Sequence, residues 1–101
     1  MQNLTNTNFT QSISQWLVVI DFYATWCWPC NMVAPYLEEL STHLEGKATF
    51  YKVNVDEERA LTMEQWITWM PTFKIFKDWV EIKKIVGADM QTLVETLQHN
   101  L

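Results

Sequence analysis

Glycine is nearly absent from this chain: Gly46 and Gly87 are the only two in 101 residues. That scarcity excludes a glycine-rich phosphate loop and a Gly-x-Ser-x-Gly nucleophile elbow, since both need glycines at fixed spacings. Cysteine is as rare. Cys27 and Cys30 are the only two, too few for a secreted disulfide scaffold. With no second Cys-x-x-Cys and no close histidine pair, they are also too few for a four-ligand structural zinc site. His43 and His99 lie far apart with no motif joining them, and neither is assigned a role. Basic residues are outnumbered, 7 against 12 acidic, for a net charge of −5. That balance argues against nucleic acid or an anionic membrane as a partner. No apolar stretch approaches the roughly 20 residues a membrane span requires. Residues 1–6 lack the basic and apolar regions of a signal peptide, so a soluble cytoplasmic protein is expected. No repeat, linker or low-complexity segment interrupts the chain, and residues 1–101 are expected to form one domain. Apolar residues, 49% of the total, suffice for a core without a disulfide staple.

What is present centres on Trp26-Cys27-Trp28-Pro29-Cys30. The preceding run, Leu17-Val18-Val19-Ile20-Asp21-Phe22-Tyr23, is β-branched and aromatic with no period-2 alternation. Such a run predicts a strand buried on both faces. After the motif, Met32, Val33, Tyr36, Leu37, Leu40 and Leu44 recur at helical spacing. Pro35 should kink that helix and Gly46 should end it. Two cysteines three residues apart, after a strand and at a helix start, suit a dithiol/disulfide switch. The helix N-terminus offers unpaired N–H groups and partial positive charge, which favour a thiolate. The thiolate is the nucleophile. Cys27 therefore reads as the attacker and Cys30 as the resolver; a zinc half-site or a simple packing pair is the plain alternative.

The other elements follow from pattern. A short edge strand is expected near Leu4, then a short helix capped by Thr5, Asn6 or Thr7 with Phe9 and Ile13 on one face. Residues 48–55 read as a strand and 56–66 as a short helix, with Asp56 capping and Leu61 and Met63 turned inward. Met70-Pro71-Thr72 opens a strand over 73–76, and the turn Lys77-Asp78-Trp79 leads to another over 80–86, an antiparallel pair. Met90, Leu93, Val94 and Leu97 mark the inner face of a last helix. The order βαβαβαββα predicts an α/β protein with a mixed sheet. Asp21, in mid-strand, is costly unless paired or neutral, and burial should raise its pKa.

On these residues the chain resembles the thioredoxin family from Leu4 to Leu97. The resemblance rests on Val18-Val-Ile-Asp-Phe-Tyr-Ala-Thr-Trp-Cys27, Pro29-Cys30, Ala34-Pro35, Lys52-Val-Asn-Val-Asp56, Met70-Pro71-Thr72 and Val86-Gly87-Ala88. It implies a thioredoxin fold, a central five-stranded mixed sheet of order 1-3-2-4-5 flanked by four helices. It implies reduction of protein disulfides by a reversible Cys27–Cys30 couple, with an exposed Cys27, a buried Cys30 and Asp21 as proton acceptor. Trp26, Pro29, Lys52 and Pro71 would support the site, with Pro71 in a cis peptide. Trp26, Trp28, Trp69, Met70, Pro71, Gly87 and Ala88 would face the substrate. No metal or prosthetic group is implied, and the expected partners of a monomer are a flavin-dependent thioredoxin reductase and protein disulfides. Two other readings fit the same residues: a disulfide oxidant or isomerase on this fold, and a binding module whose thiols matter little.

The chain departs from the family where it carries tryptophan. Trp28, Trp69 and Trp79 stand where glycine is usual, Trp66 where it is often found, and Asn31 where a basic residue is usual. Without that basic residue, Cys27 should be somewhat less acidic than the value of about 7 already established for thioredoxin. The tryptophans, Trp16 with them, admit two explanations. Trp28 and Trp69 form an adaptive aromatic rim around the disulfide, or these positions are glycine in the native protein. Glycine and tryptophan codons differ by as little as one base, and some genetic codes reassign a stop codon to one or the other.

Overall fold

A computed structural model describes residues 1–101. Its centre is β2 (Leu17–Tyr23), which belongs to two cores at once. Val18, Ile20 and Phe22 point into one apolar cluster, Leu17 and Val19 into the other. A strand apolar on both faces needs no alternation, which accounts for the unbroken run in the sequence. β3 (Thr49–Asn54) pairs with β2 in parallel and β4 (Thr72–Lys77) in antiparallel fashion. β1 (Gln2–Asn3) joins β3 in parallel, and β5 (Val80–Val86) joins β4 in antiparallel. The resulting order is β1-β3-β2-β4-β5, as expected.

Four helices cover the sheet. α1 (Phe9–Ser12) and α3 (Arg59–Glu64) contribute Phe9 and Leu61 to the first cluster. α2 (Trp28–His43) and α4 (Met90–Gln98) contribute Val33, Leu37, Leu93 and Leu97 to the second. α2 runs unbroken through Pro35. Asp89 caps α4, its carboxylate accepting from the Thr92 N–H at 3.0 Å and hydroxyl at 2.6 Å; those bonds hold its pKa below the usual range. No helix is long and apolar enough to cross a membrane.

Several local expectations need correction. α3 begins at Arg59, not at Asp56, because Asn54 Oδ1 accepts from the N–H groups of Asp56 and Glu57 and holds them in a turn. In so short a helix only Leu61 reaches the core; Met63, two residues on and so across the helix, is 76% exposed. Met32 and Tyr36 of α2 are likewise exposed. The N-cap of α1 is Asn8, whose Oδ1 accepts from the Thr5 N–H. The edge strand stops at Asn3, with Leu4 buried just beyond it. Lys74, unremarked in the sequence, is buried. Its Nζ donates to Glu81 Oε1 at 2.7 Å and Gln65 Oε1 at 3.2 Å, so the charge is not left alone in the interior.

Candidate active site

β2 ends at Tyr23 and α2 starts at Trp28, so four residues carry the chain from sheet to helix. Cys27 is the N-cap of α2, in extended conformation. Its Sγ accepts the backbone N–H of Cys30 at 3.2 Å, the bond that a serine or aspartate oxygen makes at an ordinary N-cap. Negative charge on that sulfur would meet one direct donor and the positive end of a 16-residue helix. Pro29 sits in the first turn, where its missing N–H costs nothing. Asn31, also in the first turn, donates from Nδ2 to the Thr25 carbonyl at 3.1 Å and adds no charge.

Cys27 and Cys30 are joined in a disulfide, with Cα atoms 5.3 Å apart. Cys27 was expected to be exposed, but it is 5% exposed and Cys30 3%. The cause lies opposite: the Met70 carbonyl oxygen stands 3.6 Å from Cys27 Sγ, and indoles flank it. Cys27, without Cys30, lines a groove of about 350 Å³ together with Trp26, Trp28, Pro29, Thr68, Trp69 and Met70. Met70–Pro71 is a cis peptide. Pro71 and Gly87, expected to face the substrate, do not line the groove; the Gly87 N–H donates to the Pro71 carbonyl at 2.7 Å. Ala88 is exposed beyond them.

Asp21 is buried within β2, opposite Lys52 on β3 and Phe73 on β4. Burial lifts its pKa from 3.8 to about 7, a rise that the Lys52 charge limits. Its Oδ1 has no hydrogen-bond partner in the protein. Lys52 is itself half-buried, with Nζ 5.6 Å from the Tyr23 ring centroid. A carboxyl that titrates near neutrality can exchange a proton under ordinary conditions.

Asp56, expected to cap a helix, does not do so. Its Oδ2 instead accepts the Trp26 indole N–H at 2.8 Å, which ties the motif to the loop after β3. The contact was not readable from either residue alone. Asp56→Ala is expected to cost about 1 kcal/mol in urea unfolding, the usual worth of one such bond. Trp26→Phe should cost the same, and the double variant little more than either. Strictly additive losses would show that the bond contributes nothing.

Comparison with known proteins agrees with this geometry. A family model described as Thioredoxin matches residues 1–99. The thioredoxin of Staphylococcus haemolyticus is 38% identical over 99 residues, covering 97% of this chain and 95% of its own length. A Plasmodium falciparum thioredoxin structure superposes with a TM-score of 0.91 at 37% identity, covering 100% of both chains. Oxidised mitochondrial thioredoxin 3 of Saccharomyces cerevisiae gives 0.91 at 40% identity, with 98% of this chain and 94% of that one covered. A disulfide at the cap of α2, in this sheet order and over this length of match, places the chain in the thioredoxin family, as a protein thiol–disulfide oxidoreductase.

Proposed function

We propose that residues 1–101 act as one domain that reduces protein disulfides, with Cys27 as attacking thiolate and Cys30 as resolving thiol. The observation that carries the assignment is the Cys30 N–H directed at Cys27 Sγ, which favours charge on Cys27 and not on Cys30. Reduced Cys27 attacks one sulfur of a client disulfide; a mixed disulfide forms and one client thiolate leaves. Cys30 loses its proton, attacks Cys27 Sγ and displaces the second client thiolate. Two electrons have passed to the client, and Cys27–Cys30 is oxidised. Asp21, titrating near 7, accepts the Cys30 proton. Lys52, across the ladder, limits how high that pKa rises.

The client is held in the groove between positions 26, 28, 69 and 70; Pro71, Gly87 and Ala88, which do not line it, meet only a client that extends past it. Pro29 and Trp26 fix the approach to the sulfur. The two-electron donor is a flavin-dependent thioredoxin reductase, and the setting is a reducing cytoplasm, the compartment in which a free dithiol persists. Redox titration of the couple, read by alkylation and intact mass, tests this reading against the oxidant alternative. The expected potential lies near about −270 mV, the figure known for thioredoxin itself and not one obtained from this geometry. A potential at or above about −180 mV, where disulfide isomerase lies, would make the protein an oxidant or isomerase.

A further inference from the structure

We infer that positions 16, 28, 66, 69 and 79 are glycine in the protein made by its source cell, which inserts glycine at the codon read here as tryptophan. The inference does not depend on the catalytic roles above. Trp66 follows the C-cap of α3 with φ +57, its N–H donating to Met63 O at 3.0 Å while the Ile67 N–H reaches Thr62 O at 3.1 Å. That pair of bonds is a Schellman motif, whose left-handed residue is usually glycine. Asp78 and Trp79 form the two-residue connection between β4 and β5, with φ +51 and +75. Positive φ at both central residues defines a type I′ hairpin turn, for which Asp-Gly is among the favoured sequences. Both of the chain's actual glycines are also left-handed. So every left-handed residue is glycine, tryptophan or the aspartate of this turn.

Exposure points the same way. The five indoles are between 52% and 79% exposed, and none of their N–H groups has a protein partner. Trp26 is as exposed, at 67%, and differs from the other five only in that its indole N–H has a partner, Asp56. Trp16 has one favourable contact, the Lys77 ammonium 4.8 Å from its ring centroid. An adaptive rim around the disulfide accounts for Trp28 and Trp69 alone; Trp16, Trp66 and Trp79 do not line the groove. Glycine at all five would give seven in 101 residues, matching the average usage of about 7%. It would also remove two indoles from the groove and uncover Cys27.

Peptide mass mapping of the protein purified from its source cells decides the matter. Glycine is expected at all five positions and tryptophan at 26; tryptophan at any of the five overturns the inference. Recombinant protein gives a second reading. Trp66→Gly with Trp79→Gly should raise the melting temperature by about 5 °C or more, because left-handed non-glycine residues are strained. Trp26→Gly should lower it. An unchanged or lower melting temperature for the first pair would count against these positions being built for glycine.

Discussion

Reduced Cys30→Ser protein, mixed with a protein disulfide, is expected to stall as a covalent adduct through Cys27. The geometry separates the two sulfurs cleanly. What supports charge on Cys27 Sγ is the backbone N–H of residue 30 and the end of α2, and neither is lost when the side chain changes. Attack therefore proceeds at an ordinary rate. Resolution does not, because a serine hydroxyl cannot displace the client from a mixed disulfide. Cys27→Ser has the opposite consequence: no adduct and no turnover, since Cys27 lines the groove and Cys30 does not. Non-reducing electrophoresis and intact mass distinguish the outcomes. An adduct on Cys30 in the Cys27→Ser protein, or normal turnover by Cys30→Ser, would reverse the assignment.

Asp21→Asn carries the second large effect, and it has two signs. In the unfolded chain this carboxyl deprotonates near 3.8, in the folded protein near 7. Between those values the folded state holds one more proton than the unfolded state. Stability present below the lower value is thus lost as pH rises, and is fully gone above the upper one. The loss is on the order of 4 kcal/mol, taking 1.36 kcal/mol per pH unit. Asparagine has no such proton, so the variant should be the more stable protein at pH 8, with the gain shrinking toward pH 4. Urea unfolding across that range measures it; parallel curves would refute the buried, neutral Asp21. Activity moves the other way. Removing a general base is worth about 10² to 10⁴-fold, so release of the mixed disulfide should slow by at least the lower figure and lose its inflection near pH 7. A variant both more stable and slower would separate proton transfer from a merely structural role.

The central strand was legible because both its faces are covered, and the same double covering produces an uninterrupted apolar run. Cys27 and Cys30 were legible because their function requires a spacing that local sequence displays. Asp21 stood out as a lone charge among Val19, Ile20 and Phe22. Lys74 did not, although it is buried as deeply, because strand lysines commonly snorkel to water. Its partners, Gln65 and Glu81, meet it only once α3 and β5 are in place. The burial of Cys27 was missed for a similar reason: what covers it, Met70 and the indoles at 28 and 69, comes from a segment forty residues away as much as from its neighbours. Asp56 was placed one turn too early in a helix because the Asn54 side chain intervenes. Contacts made across the fold decide such positions, and no local period records them.

The stretch from Gln65 to Thr72 is fastened at both feet. Lys74 holds the Gln65 side chain and Lys84 Nζ donates to the Trp66 carbonyl at 3.0 Å. At the other end the Thr72 hydroxyl donates to the Trp69 carbonyl at 2.6 Å and Gly87 secures Pro71. The span between behaves as an arch on two abutments. In the client binding proposed above, a client over Cys27 would bear on the crown of that arch, at Trp69 and Met70, and the load would pass down into β4 and β5. The wall of the groove is therefore stiff, and for the client binding proposed above it would set how deep a disulfide seats over the sulfur.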